Sequence, residues 1–267
     1  MLCGVCVSFN EGIILLSFLD LLAVVLFFCC WVGYTLFARR RAKLSYCIAR
    51  SLHQHRIHWM LEVIGRTNRI GDVALLANLE RNIAFFASST LLILAGILTL
   101  FAKVDTLQSV LSEIHYAEIP SIFGIQMKLM LLMLIFVLSF FQFTWSMRQY
   151  GFVNVMIGAI PNRADAKNNN LQGYAKQMAV VQDQAAHSYN YGLRSYYFAL
   201  AAISWFFHPI LFIIVSLFVV YTLYRREFNS KTVKSITLGL QYLQAERNHK
   251  IFGAHDDERN AELDKND

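Results

Sequence analysis

Asp20 stands out first for its chemistry, because it falls inside a long apolar stretch of this 267-residue chain. An unpaired charge at membrane depth is costly, so an ionisable residue there is a functional candidate by default. His208, directly before Pro209, lies in another apolar stretch and carries an imidazole, a side chain able to accept or donate a proton. Together Asp20 and His208 could line a proton or cation path. The plainer reading is a carboxyl kept protonated or bonded to a neighbouring helix, and a histidine in a structural hydrogen bond.

His53, His55 and His58 cluster with Glu62. On a helix His55, His58 and Glu62 share a face, and zinc accepts that ligand set. Interfacial helices also carry histidines without any metal. Glu80-Arg81-Asn82, next to Asn78, opens another apolar stretch. Arg81 can fork onto a carboxylate or phosphate. Arg148 and Arg194 close or open stretches of the same kind, so three arginines are expected on one face. They could bind lipid phosphates or an anionic ligand, or serve as topology anchors. Cys3 and Cys6 form a C-x-x-C without the strand–helix context of a redox fold. Gly-rich phosphate loops, dinucleotide fingerprints and a nucleophile elbow are absent from the sequence. No cofactor is expected, and an enzyme is the least favoured class.

These residues must be positioned by membrane-spanning helices. The chain is 56% hydrophobic with only 3 prolines. Apolar segments at 12–37, 83–102, 123–147 and 196–224 are each long enough for a hydrocarbon core of roughly 30 Å. Lipid offers the backbone no partners, so such segments are helices. The expected fold is all-α: a bundle of four transmembrane helices with interfacial amphipathic helices. Residues 1–228 form the membrane domain, and 229–267 an amphipathic helix with a polar tail.

The net charge of +6 fits cytoplasmic loops and anionic lipid headgroups rather than nucleic acid. Residues 38–82 hold nine Lys/Arg and residues 104–122 hold none. The positive-inside rule then places 38–82 and 148–195 in the cytoplasm and 104–122 outside. Four passes would leave both ends outside, although Arg225, Arg226, Lys231 and Lys234 favour the cytoplasm. Residues 150–161, apolar but short, could re-enter the membrane and change that parity. Residues 173–188 read as a surface helix.

Residues 72–90, from Asp72 through Asn78, Glu80, Arg81 and Asn82 to Thr90, resemble the second-span signature of the membrane family "domain of unknown function 599". Lys128 through Arg148-Gln149-Tyr150 resembles its third span. Tyr191 to Trp205, with His208-Pro209 and Tyr224-Arg-Arg-Glu-Phe, resembles its fourth. Leu19-Asp20 and Trp31 to Tyr34 are similar to its first. The resemblance implies a four-span helical protein of a bacterial inner membrane and implies no reaction. It draws attention to Asp20, Asn78, Arg148, Asn190 and Arg194, which lie inside the matching motifs.

The leading expectation is a homo-oligomeric channel or small-solute conduit. Four helices leave no wide pore within one chain, and closed rings are the usual solution. Asp20 would line it, with Asn78, Arg81, Arg148, Asn190 and Arg194 at the cytoplasmic mouth. The rival is a non-conducting scaffold that binds membrane lipids or a partner membrane protein.

Overall fold

A computed structural model describes residues 18–44, 47–113, 121–161 and 168–246. The Cys3–Cys6 pair, the start of the first expected span and the polar end of the tail lie outside them. Among the described residues there is no strand. The helices are α1 (Phe18–Leu44), α2 (Ile48–Gly65), α3 (Ile70–Ala102), α4 (Val104–Ser112), α5 (Ile122–Gly158), α6 (Asn169–Ser204) and α7 (Pro209–Phe228). A last helix, α8, covers 231–246.

Helix starts carry readable signals. Ser121 caps α5 by accepting from the Gly124 amide at 3.1 Å, and Asn168 caps α6 by accepting from that of Asn170 at 2.9 Å. Such side-chain acceptors satisfy amides that have no partner within the helix. Four helices are long and apolar enough to cross a membrane: Phe18–Ala38, Ile70–Ala102, Ile122–Gly158 and the segment Pro209–Glu246. Their outward faces are apolar, as Phe85, Leu92, Phe141 and Phe218 show. The chain is a membrane protein with transmembrane helices.

The single span expected over 196–224 is two helices. Proline lacks an amide and disfavours helix in the residue before it. His208 accordingly takes an extended backbone, and Pro209 opens α7 in the first turn. α6 and α7 then fold back on one another. Trp205 stacks on Phe212 at the turn, with ring centroids 5.3 Å apart. At the far end Arg194 meets Glu227, and Arg226 meets Tyr197.

This hairpin settles the position of the tail. α1 runs alongside α7 in the same direction, with Phe27 against Phe212 and Tyr34 against Glu227. α8 then lies on α2, where Ser51 meets Thr237 and His55 meets Ile236. The tail helix therefore sits on the same face as the basic 38–82 stretch, and the expectation of opposite faces is overturned. Residues 150–158 simply continue α5, and α6 returns alongside it.

The expected surface helix 173–188 is also corrected: Met178, Ala179 and Ala185 are fully buried in α6. α6 packs antiparallel on α5 through small residues. Ser139 donates to the Gly192 carbonyl at 3.1 Å and Ser146 to that of Ala185 at 2.6 Å. Small side chains allow such close approach between membrane helices. Two apolar cores result. One, around Phe27, Ile125, Phe198 and Phe212, lies towards the α6–α7 turn. The other, around Met60, Leu76, Phe143 and Met178, brings α2 onto the bundle at the basic end.

Candidate functional site

At the basic end α2 lies along α6, and their seam holds one carboxylate among three bases. Asp183 and His187 stand one turn apart on α6, so both face α2. His53 and Arg56 do the same from α2. Arg56 Nη1 donates to Asp183 Oδ1 at 2.6 Å. His187 Nε2 lies 3.3 Å and His53 Nδ1 3.5 Å from the other carboxylate oxygen. Burial pushes the Asp183 carboxyl up, but the His187 hydrogen bond and the neighbouring positive charges outweigh it. The group is held below its ordinary value of 3.8.

Three clefts open around this cluster. The largest, about 990 Å³, lies beside His53, Trp145, Gln149 and Tyr191. A narrower one, about 190 Å³, runs from Asp183 past Asn190 and Arg194 to Glu227. The third, about 640 Å³, is bounded by His55, Arg56, Trp59, Tyr150, Gln182 and Asn190. Ligand sites are usually concave, with a few convergent polar groups in an apolar lining. These clefts have that character, and all sit at one end of the molecule.

Other charges on this side are tied down. Glu227 accepts from Arg194 at 2.6 Å and from the Tyr34 hydroxyl at 2.7 Å, joining α1, α6 and α7. Arg194 also lies over the rings of Tyr34 and Tyr191. Asp72 is almost wholly buried and accepts from the Trp59 indole and from Arg66. Arg69 donates to the carbonyls of Val63, Ile64, Ile160 and Pro161. These carbonyls end α2 and follow α5, where helix termini lack internal partners.

The residues singled out in the sequence fall into separate places. Asp20 is buried at the opposite end and accepts from the Trp205 indole at 2.7 Å. Lys128 donates to the Trp205 carbonyl at 2.8 Å and lies 5.2 Å from the centre of its ring. Asp20 thus ties α1 to the α6–α7 turn. Lys128, a second ionisable residue inside an expected span, completes the same polar node. His208 caps α7, its Nδ1 accepting from the Ile210 amide at 3.1 Å.

Asn78 and Arg81 are exposed on α3, and Arg148 is exposed over the Phe152 ring. None of these three lines the clefts around Asp183, whereas Asn190 and Arg194 do. The expected mouth is therefore split. His55, His58 and Glu62 border one cleft but form no metal set. The His55 Nε2 pairs with the Ile236 carbonyl at 3.1 Å, and Glu62 faces out. Among the described residues no group of three His, Cys, Asp or Glu could hold a metal ion. Cys29, Cys30 and Cys47 are free thiols.

Asp183, its three bases and Gln182 escape a reading of the sequence. One signal was available: Asp183 is the only acid between Asp165 and Glu227, with a histidine one turn on. Its partners Arg56 and His53 lie too far away in sequence to be paired with it by spacing.

No curated protein and no solved structure matches the chain. Residues 22–232 match the model of a family described as "Protein of unknown function, DUF599". That match takes in most of α1, the whole of α2 to α7 and the Asp183 seam, and the chain belongs to this family.

Proposed function

We propose that the protein is a non-conducting membrane scaffold whose basic face holds the headgroups of anionic lipids. One observation carries the reading: large aromatic side chains fill the core between the helices, while the three polar clefts around Asp183 open at the arginine-rich end. Phe27, Phe143, Phe198 and Phe212 fill the bundle with no exposed surface. Asp20, the residue expected to line a conduit, is engaged by Trp205 inside the chain.

A conduit built from several copies would be lined by the outer faces of the spans. Those faces present large apolar side chains such as Leu21, Val25, Leu92 and Phe218. Copies would instead associate through the outward Ser88 and Ala95 side of α3, where small residues permit close approach. Anionic headgroups at a cytoplasmic leaflet, such as that of a bacterial inner membrane, attract clustered Lys and Arg. Arg81, Arg148, Arg225 and Arg226 are exposed and suited to that role.

The test offers the purified protein phosphatidylglycerol and phosphatidylcholine in equal amounts and reads retained lipid by native mass spectrometry. Phosphatidylglycerol should dominate, and the preference should fade in the double variant Arg81→Gln, Arg148→Gln. Equal retention of the two lipids by the unaltered protein would overturn the reading.

A further inference from the structure

α1 and α7 run side by side but leave a groove of about 570 Å³ between them. Its α1 wall runs from Leu26 through Cys29 and Gly33 to Phe37, and its α7 wall from Leu217 to Tyr224. Steps of three and four residues keep each set on one helix face. The small side chains of α1 hold the groove open. A Cβ added at Gly33 would meet nothing within 4 Å. Phe37, Leu217 and Tyr221 are exposed, so the groove opens towards lipid.

Its length is informative. Leu26 and Phe37 stand 11 residues apart on α1. At 1.5 Å per residue that is about 16 Å. A hydrocarbon core is roughly 30 Å thick, so the groove is about one leaflet deep. Phe37 lies next to Ala38, the last residue of the first span, which places the groove in the half nearer the basic end. A helix crossing the bilayer needs about 20 residues and about twice this length. A single acyl chain has the matching reach.

The mouth of the groove selects the other end of the occupant. Arg40 and Arg41 follow Phe37, Arg225 follows Tyr224, and all three are exposed. The Arg41 guanidinium lies 6.0 Å from the centre of the Phe37 ring, on the wall of the groove. The Phe37 and Tyr224 rings stand 6.2 Å apart there, at the level where aromatic side chains meet headgroups. Glu227 does not offset these arginines, because Arg194 and the Tyr34 hydroxyl already engage it. A sterol or other neutral lipid would leave the positive charge unanswered. Clustered arginines at the membrane surface attract anionic headgroups, and guanidinium pairs well with phosphate.

We propose that the α1–α7 groove holds one acyl chain of an anionic phospholipid, with its phosphate among Arg40, Arg41 and Arg225. The anionic headgroup rests on the reading above, and the groove adds a fixed place for the chain. Moving a chain from bilayer to groove brings no hydrophobic gain, so occupancy depends on close packing and on the headgroup contact.

Gly33 supplies the test. Gly33→Leu fills the groove, whereas Gly33→Ala leaves it open. Both replace glycine with a better helix former, so both should melt at or above the unaltered protein. Protein purified in detergent is given equal phosphatidylglycerol and phosphatidylcholine, and native mass spectrometry counts retained lipid. The unaltered protein and Gly33→Ala should each keep one phosphatidylglycerol that Gly33→Leu loses. Arg40→Gln and Arg41→Gln should each weaken its retention about fivefold.

Equal retention by Gly33→Leu and Gly33→Ala overturns the groove site. In that case a preference for phosphatidylglycerol that fades in Arg81→Gln, Arg148→Gln leaves the basic-face reading intact. A homodimer that Gly33→Leu dissociates, with lipid retention unchanged, makes the groove an interface between copies and overturns the lipid site. If the unaltered protein retains the two lipids equally, both readings fall.

Discussion

Replacing Gly192 with alanine tests how tightly α5 and α6 are pressed together. A Cβ added there would lie 2.5 Å from Phe143 Cε1 and 2.8 Å from two further atoms of that ring. The ring cannot simply swing away. Phe143 is fully buried, and the rings of Phe86, Tyr189 and Tyr196 stand within 6 Å of it. Alanine favours a helix over glycine by about 1 kcal/mol. Overpacking a core costs about 1–3 kcal/mol. Parting the helices also weakens the Ser139 bond to the Gly192 carbonyl, worth about 1 kcal/mol. The net expectation is a destabilisation of about 1–3 kcal/mol by these same estimates. Gly151→Ala is the control, since its Cβ would meet nothing within 4 Å. It should gain up to about 1 kcal/mol. Thermal unfolding in detergent, followed by tryptophan fluorescence, reads both variants. In a Phe143→Leu background the Gly192→Ala penalty should shrink, because the clashing ring is gone. A Gly192→Ala protein as stable as the Gly151→Ala control would refute the close approach.

Asp20→Leu should destabilise the fold by about 1–3 kcal/mol, because the buried Trp205 indole loses its acceptor. A double-mutant cycle with Trp205→Phe checks that the loss belongs to this pair. The Asp183 carboxyl, held below 3.8 in the folded state, contributes stability that is fully present above that value. That contribution drains away as pH falls through the lowered folded value. Asp183→Asn should therefore flatten the acid limb of a melting-temperature profile while lowering stability at neutral pH. Ser51→Cys with Thr237→Cys should form a disulfide under mild oxidation, since the hydroxyl oxygens are 3.1 Å apart. Absence of that cross-link on a non-reducing gel would put α8 elsewhere.

The sequence displays three of the spans plainly, because α1, α3 and α5 show lipid a long unbroken apolar surface. α6 is hidden for the opposite physical reason. Its inward face is built mainly of Ala, Gly and Ser, with Met178, Gln182 and Phe198 among them, so it lacks the long apolar run of the other helices. It reads instead as a surface helix followed by the start of a span. His208-Pro209 is visible as an irregularity, but only the packing of Trp205 on Phe212 shows it to be a hairpin turn. Asp20 is conspicuous as a charge among leucines. Its partner Trp205 is 185 residues away, and no local pattern links them. The Asp183 seam and the Gln182 cleft are assembled from α2, α5 and α6. Spacing within one helix gives Asp183–His187, and the rest follows only once the helices are packed.

The most direct test of a closed interior with its binding surface at the basic end is flux through the reconstituted protein. Proteoliposomes containing phosphatidylglycerol are loaded with a pH-sensitive dye and challenged with proton, sodium and small-solute gradients. Leak rates should equal those of protein-free liposomes, for the unaltered protein and for Asp20→Asn alike. A flux well above the protein-free rate that Asp20→Asn abolishes would contradict it and restore the conduit.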